Sequence, residues 1–328
     1  MIPAPTDPVT PLRHVPVMAS EVLRELITDT SGIYIDATIG NAGHAELVME
    51  RLTKTGRLVG LDRDREAVEI SQARLKRFGT CVTVLHRDYR HLGEVCQELG
   101  IRQITGALID LGLSSIQLDQ AARGFSYQQD GPLDLRFDTS QGTPAAEWLK
   151  TATEDAITTV LQQYGEEPHA RKIARMILAT RRNNPLTTTS QLRRIIIDAV
   201  GPRSAVWGRT AARVLQAIRI QVNSELDAVP AGLESAIDLL VGNGRLVVLT
   251  YHSVEDRLVK SYFREASRRC TCPPVFPHCV CGAHPRGREV HRRVLRPSAE
   301  EMSSNPRSRA AKMRVFEKSA SIPAKEND

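Results

Sequence analysis

The sequence lacks long hydrophobic runs, internal repeats and a dense set of cysteines. No stretch approaches the ~18 uncharged apolar residues that a membrane-spanning helix needs, and the first 14 residues have no apolar core of the signal-peptide type. Six cysteines in 328 residues exclude a disulfide-stapled mini-protein. We therefore expect a cytoplasmic protein in a reducing compartment.

The overall composition is that of a globular protein. Apolar residues make up 41% of the chain and charged residues 25%, which excludes a disordered or collagen-like chain. The length of 328 residues predicts one large domain or two. A net charge of +6 and a pI near 9.1 favour polyanionic partners without proving one.

Short apolar segments alternate with helical patterns in the first third of the chain. Strands are predicted at residues 33–36, 57–62, 82–85 and 104–110. This alternation predicts an α/β fold with a parallel, doubly wound sheet. A fifth strand is predicted at residues 245–250, after a helix break at Pro230 and a further helix that ends at 242–244. A last edge strand is predicted at 313–316.

The middle of the chain contains helical patterns and no convincing strand. It holds four predicted helices, separated by breakers such as Asn183-Asn184-Pro185 and Gly201-Pro202. We therefore predict that residues 1–118 and 208–328 form one domain, and that residues 119–207 form an inserted all-helical subdomain that recognises the substrate.

Ligands of an open α/β sheet bind beyond the carboxyl ends of its strands. Gly40 and Gly43 follow the first strand and allow a tight turn before a helix N-terminus. Asp62 ends the second strand, where a carboxylate can bind the ribose hydroxyls of an adenosine cofactor. These signals leave NAD and S-adenosylmethionine open, although the spacing is not G-x-G-x-x-G and a carboxylate-lined pocket suits a sulfonium cation better than a pyrophosphate.

Longer motifs run through the chain in a fixed order. They include Tyr34-Ile-Asp-Ala-Thr-Ile-Gly40-Asn-Ala-Gly-His44, Gly60-Leu-Asp-Arg-Asp64, Asp110-Leu-Gly-Leu-Ser-Ser-Ile-Gln-Leu-Asp119, Gln216-Ala-Ile-Arg-Ile-Gln-Val-Asn-Ser-Glu-Leu226, Tyr251-His-Ser-Val-Glu-Asp-Arg257 and Asn305-Pro-Arg-Ser-Arg309. In these segments the chain resembles the bacterial 16S ribosomal RNA cytosine-N4 methyltransferase family. The resemblance covers nearly the whole chain.

The resemblance implies a class I methyltransferase (Rossmann-like) fold and S-adenosylmethionine as methyl donor. The implied acceptor is the exocyclic N4 of a cytidine in the decoding region of 16S rRNA, within the assembled small ribosomal subunit. The implied cofactor contacts are Ala42, Gly43, His44, Asp62, Tyr89, Asp110 and Gln117. The family usually has glycine where this chain has Ala42, so a positive φ there would strain the alanine by roughly a kcal/mol.

Methyl transfer to an amine needs an acceptor for the amine proton. The lone pair of the cytosine amine is delocalised into the ring, so a positioned carboxylate helps by accepting an N–H bond and then the proton. Asp110, after the fourth strand, is the first candidate, and Ser114 and His252 are the others. We also expect Ser253 to cap the following helix.

The sequence leaves two other functions open. The first is an amine methyltransferase that acts on DNA or another RNA. Such enzymes usually carry an Asn/Asp-Pro-Pro-Tyr-like loop after the fourth strand, where this chain has Asp110-Leu-Gly-Leu-Ser-Ser115. The second is a non-catalytic RNA-binding factor of ribosome assembly, against which the intact Gly43, Asp62 and Asp110 argue.

Two further sequence features bear on partners and metals. Basic clusters at Arg171-Lys172, Arg181-Arg182, Arg193-Arg194, 286–296 and 307–314 are candidate RNA contacts. Cys270, Cys272, Cys279 and Cys281 pair symmetrically about one centre, as on a hairpin whose thiols converge. Four sulfurs without an open position predict one structural zinc ion.

Overall fold

The computed structural model describes residues 16–269, 272 and 284–320, with a seven-stranded sheet at their centre. The strand order is β3-β2-β1-β4-β5-β7-β6. The strands are β1 (Ile33–Asp36), β2 (Arg57–Asp62), β3 (Val82–His86), β4 (Ile104–Asp110), β5 (Leu240–Thr250), β6 (Gly287–Glu289) and β7 (Lys312–Lys318).

Thirteen α-helices surround or extend this sheet in the described residues. They are α1 (Ala19–Leu26), α2 (Gly43–Met49), α3 (Arg65–Leu75), α4 (Leu92–Glu98), α5 (Ser115–Asp119), α6 (Ala145–Thr151), α7 (Glu154–Gln163), α8 (Ala170–Asn183), α9 (Thr189–Val200), α10 (Ser204–Asn223), α11 (Glu225–Leu239), α12 (Ser253–Ala266) and α13 (Ala299–Ser304). Within the described ranges, no helix has the length and apolar character that crossing a membrane requires.

The predicted parallel α/β sheet is confirmed. Strands β1 to β5 run parallel, and the register places Asp36 of β1 beside Gly60 of β2 and Leu108 of β4. Because all these strands point the same way, their carboxyl ends lie along one edge of the sheet. That edge therefore collects the polar residues that follow each strand.

Three details differ from the prediction. Strand β7 lies inside the sheet, antiparallel to both β5 and β6, so it is not the edge strand. Helix α11 continues through Pro230. An internal proline costs a helix ~3 kcal/mol, and burial of the apolar face that includes Val229 and Leu233 offsets this cost. Strand β5 begins at Leu240, before the glycines that were expected to end the helix.

The helical region has a hydrophobic core of its own. Apolar residues of α6 to α9 pack together with Phe125, Leu133, Leu135 and Phe137. Helix α10 contributes five apolar residues to the same core: Ala211, Val214, Leu215, Ala217 and Ile218. That residues 119–207 form a separate subdomain remains a proposal. Helix α10 connects their core to the sheet.

Asn223, at the end of α10, binds residues 135–137 of the helical region by hydrogen bonds. Its buried Nδ2 donates to the carbonyls of Leu135 (2.7 Å) and Arg219 (2.9 Å), and its Oδ1 accepts from Phe137 N–H (2.8 Å). Ser224 then adopts a left-handed conformation (φ 48°) that turns the chain directly into α11. The amide thus fastens residues 135–137 to the hinge between the two long helices.

Replacement of Asn223 by alanine is expected to destabilise the fold. The change leaves the buried Phe137 N–H and Leu135 carbonyl without partners, at a cost of about 2–4 kcal/mol. Urea unfolding of Asn223→Ala measures this loss, with Asn184→Ala as the control because Asn184 is exposed at the end of α8. A loss of stability no larger than that of the control would show that the amide does not fasten the junction.

Candidate active site

A cavity of about 490 Å³ opens at the carboxyl ends of the parallel strands. Its floor comes from the ends of β1, β2 and β4 and from the loop that precedes α2. Its opposite wall comes from the helical region, chiefly Phe137, Leu215 and Arg219. The cavity therefore lies between the sheet and the helical region.

Three carboxylates face this cavity from neighbouring strands. Burial raises the pKa of Asp36 to about 8, of Asp62 to about 6 and of Asp110 to about 7, and the charges of Asp110 and Asp62 add to the shift at Asp36. Such shifts mean that the ionised carboxylates lack a full set of cationic partners, so a bound cation would favour their charged forms. A cavity of this kind suits a positively charged ligand.

The loop after β1 brings backbone close to the Asp62 carboxylate. Gly40 N–H donates to Asp62 Oδ2 (2.9 Å), and Gly40 has a φ of 51°, a conformation that favours glycine. Ala42 also has a positive φ, 62°, so the strain predicted for an alanine at this position is present. The Ala42 methyl group packs in the core, and Gly43 lines the cavity.

His44 contributes two buried nitrogens that have no hydrogen-bond partner. Its Nε2 lies 3.7 Å from Asp110 Oδ2, and the ring lines the cavity. Burial lowers the pKa of His44 to about 4, so the ring is neutral at pH 7. Because unpaired buried polar atoms are costly, these nitrogens mark a place where a ligand can supply the missing bonds.

Asp110 sits at the centre of the cavity and has a defined partner. Its Oδ1 accepts a hydrogen bond from the Tyr251 hydroxyl (2.8 Å), and its backbone N–H donates to Thr38 Oγ1 (2.7 Å). The pair joins the end of β4 to the end of β5. The sequence prediction placed Asp110 here but missed Tyr251, although Tyr251 stands at the carboxyl end of a predicted strand.

The remaining predicted residues also line the cavity. Gln117 is buried, accepts from Ser114 N–H (3.0 Å) and donates to Asp64 Oδ2 (2.8 Å). Tyr89 is buried against Gly232 of α11, where an added Cβ would approach its ring to 2.5 Å. Ser114 Oγ accepts from Gln117 N–H (3.3 Å), which occupies that hydroxyl at the start of α5.

His252 replaces Ser253 as the residue that caps α12. His252 Nδ1 accepts from Glu255 N–H (3.3 Å), and Glu255 Oε2 accepts from the backbone N–H of Tyr251 (2.9 Å) and of His252 (3.4 Å). The expected cap at Ser253 was therefore displaced by one residue. Ser253 instead donates its hydroxyl to Glu166 Oε2 (2.5 Å) from the helical region.

A buried ion pair forms part of the wall and was not predicted. Arg219 of α10 binds Glu225 of α11 through two hydrogen bonds of 2.8 and 2.9 Å. Burial opposes the charge on both side chains, and their mutual attraction preserves it. The only sequence signal was their spacing of six residues within the Gln216–Leu226 motif, and that spacing does not by itself reveal a pairing across two helices.

Comparison with known proteins places this sequence in a family. The family model described as the MraW methylase family matches residues 11–319. The chain belongs to the MraW methylase family. It is 44% identical to ribosomal RNA small subunit methyltransferase H of Thermomicrobium roseum, over 96% of this chain and 96% of that protein. It is 41% identical to ribosomal RNA small subunit methyltransferase H 2 of Agathobacter rectalis, over 93% and 98%.

The predicted class I methyltransferase fold agrees with this family membership. Among solved structures, the chain resembles an rRNA methylase from Streptococcus thermophilus with a TM-score of 0.41 and 11% identity, over 92% of this chain and 93% of that one. The family match covers both the sheet and the helical region, so both belong to the family's fold.

The predicted zinc site falls mostly outside the described residues. Cys270, Cys279 and Cys281 lie there, whereas Cys272 is described and half-buried. Among the residues that the structure does describe, no group of three or more His, Cys, Asp or Glu side chains is placed to hold a metal ion. The structural zinc therefore stays a prediction.

Proposed function

We propose that this chain transfers a methyl group from S-adenosylmethionine to the exocyclic N4 of a cytidine in 16S rRNA. The observation that carries the proposal is Asp110, a partly buried carboxylate that faces the same cavity as the Asp62 loop. Family membership supports the reaction class. The name shared by the relatives, ribosomal RNA small subunit methyltransferase H, supports the RNA substrate.

The residues of the cavity fit S-adenosylmethionine. The cofactor is cationic at its sulfonium, and when bound it would favour the ionised forms of Asp36, Asp62 and Asp110, whose raised pKa values show that their charge lacks full compensation. Asp62 at the end of β2 would hold the ribose hydroxyls, and the unpaired nitrogens of His44 would supply or accept further hydrogen bonds. Tyr89 and Gln117 complete the proposed binding set. When bound, the cofactor supplies an electrophilic methyl group.

Asp110 is proposed to act on the acceptor amine. An ionised carboxylate accepts an N–H bond of the amine, which localises the nitrogen lone pair, and it can take the proton that the amine must lose. A pKa of about 7, raised by burial, makes this carboxylate a better base at neutral pH than an exposed aspartate. Ser114 and His252 already serve as backbone caps, which favours Asp110 over them as proton acceptor.

The RNA is proposed to meet the protein at the mouth of the cavity. Arg307 lines the cavity, is exposed, and pairs with Asp119 of α5 at 2.6 Å. Not every basic cluster is available for RNA, because Arg314 is buried against Asp256 (2.7 Å) and Arg181 donates to backbone carbonyls of the helical region. We propose the assembled small ribosomal subunit as the substrate.

Each of the two alternative functions differs from the proposed function in one respect. A methyltransferase of DNA or another RNA would use the same cofactor cavity with a different acceptor. A non-catalytic assembly factor would need neither the raised pKa of Asp110 nor the unpaired His44 nitrogens. These buried features cost stability and have no purpose in a protein that only binds RNA, so we favour the enzyme.

The decisive experiment compares 16S rRNA from cells with the chain, without it, and with Asp110→Asn. We expect mass spectrometry to find one methyl group on a cytidine N4 only in cells with the wild-type chain, and at most about 1% of that level with Asp110→Asn. In vitro, assembled small subunits should be methylated faster than a short naked RNA stem. Full methylation in cells with Asp110→Asn would contradict the proposed role of Asp110. Unmodified 16S rRNA in all cells would contradict the proposal that 16S rRNA is the substrate.

Asp62→Asn is expected to weaken cofactor binding at least about tenfold at pH 8, because the ribose loses hydrogen bonds to a charged group. Wild-type affinity should fall as the pH drops through about 6, since a protonated Asp62 loses its charge, and the variant should lack this part of the pH dependence. Isothermal titration calorimetry measures both. Asp198→Asn, an exposed change on α9, is the control, and equal affinities at pH 8 would contradict the assignment of Asp62.

Arg307→Gln is expected to weaken binding to the small subunit without changing cofactor affinity. One lost phosphate contact lowers the slope of log affinity against log salt by about 0.7–0.9. Arg309→Gln is the matched control, because Arg309 lies on the same turn but donates to the Met302 carbonyl outside the cavity. An Arg307 variant that loses cofactor affinity instead would assign the arginine to the cofactor and contradict the RNA contact.

A further inference from the structure

We propose that Tyr251 is a positioning residue for Asp110: its hydroxyl holds the carboxylate in place and in its ionised form. The inference rests on the proposed function, because the ionisation of Asp110 matters for turnover only if Asp110 accepts the amine proton. Its structural content, a hydroxyl that stabilises a buried carboxylate, can be measured without any substrate.

The contact between the two side chains is direct. The Tyr251 hydroxyl donates to Asp110 Oδ1 at 2.8 Å, the usual distance of an O–H···O hydrogen bond. Burial and the neighbouring charge of Asp110 raise the pKa of Tyr251 well above its ordinary value, so the phenol keeps its proton. Tyr251 can therefore serve Asp110 as a donor throughout the working pH range.

Tyr251 is itself held from two sides. Its backbone N–H donates to Glu255 Oε2 (2.9 Å), in the capping box that begins α12. Its ring packs over Gly112, where an added Cβ would lie 3.3 Å from the ring and where φ is 110°. The phenol thus has one position, set by α12 and by the loop after β4, and that position aims its hydroxyl at Asp110.

Other charged groups around Asp110 do not replace this donor. Asp36 of β1 and Glu255 of α12 are carboxylates that raise the cost of ionising a neighbour. His44 of α2 is neutral at pH 7 and lies 3.7 Å away, beyond hydrogen-bond distance. In the described part of the chain, the Tyr251 hydroxyl is the donor to the Asp110 carboxylate.

The expected consequence has a definite sign. Burial raises the pKa of Asp110, and the hydrogen bond from Tyr251 opposes that rise. Without the hydroxyl, the carboxylate loses the bond that favours its charged form, so it binds its proton up to a higher pH. Tyr251→Phe should therefore be inactive at a pH where the wild type works and should recover at higher pH.

The first measurement is the carboxyl titration of Asp110 in the protein without cofactor or RNA. ¹³C labelling of aspartate carboxyl groups gives a resonance for Asp110, identified by its absence in Asp110→Asn. We expect its midpoint to rise by about one pH unit or more in Tyr251→Phe. Tyr262→Phe is the matched control, because Tyr262 lies on α12 outside the cavity and its hydroxyl accepts from Arg286 (3.4 Å). An unchanged midpoint would overturn the proposal.

The second measurement is the pH profile of single-turnover methylation of small subunits. The acidic limb should move to higher pH in Tyr251→Phe by the same amount as the titration midpoint. Above both midpoints, where Asp110 is ionised in both proteins, cofactor affinity should stay within about twofold of wild type by calorimetry. In the Asp110→Asn background, Tyr251→Phe should cause no further loss, because the tyrosine acts through the carboxylate. A full additional loss there would overturn the proposal by giving Tyr251 a role of its own.

The role of Asp110 and the positioning role of Tyr251 can be contradicted independently. If Asp110→Asn turns over at the wild-type rate, the role of Asp110 in the proposed function is wrong, whatever the titration of Tyr251→Phe shows. If Asp110→Asn is slow and Tyr251→Phe has the wild-type titration midpoint and pH profile, only the positioning role of Tyr251 is wrong.

Discussion

The burial of three carboxylates in one cavity is the constraint on which the site depends. Asp36, Asp62 and Asp110 end three neighbouring parallel strands, and parallel strands present their carboxyl ends at one edge. Placing these groups together costs free energy, as their raised pKa values show. The surrounding structure offsets part of this cost with donors: Gly40 N–H serves Asp62, and the Tyr251 hydroxyl serves Asp110. A cationic ligand would offset more.

The helical region forms one wall of this cavity. Its wall carries Phe137, over which the guanidinium groups of Arg63 and Arg219 lie at 5.3 and 5.9 Å. Arg63 also donates to the Asn223 carbonyl (3.0 Å), so cations, ring and hinge form one connected patch. Glu166 of the helical region also binds Ser253 and Arg257 of α12. The proposed substrate-recognition region is thus held to the rest of the fold at two places.

Parts of the fold that local pattern controls were predictable. Strands β1, β2 and β4 were predicted at their observed bounds, since each is a short apolar run that ends at a polar residue. Where tertiary packing competes with local preference, prediction was wrong. Pro230 did not break α11 because the helix buries an apolar face, and His252 displaced Ser253 as the cap because Glu255 bonds back to the N–H of residues 251 and 252.

The sequence by itself determined the family, the alternation of strands and helices in the parallel part of the sheet, and the residues that end β1, β2, β4 and β5, because these follow from composition, periodicity and motif order along the chain. Only the tertiary structure decided which side chains meet. Tyr251 and Asp110 are 141 residues apart, and Arg219 reaches Glu225 only because Ser224 turns α10 into α11. Such contacts depend on how β4, β5 and the helices pack against one another, and that packing leaves no local pattern in the chain.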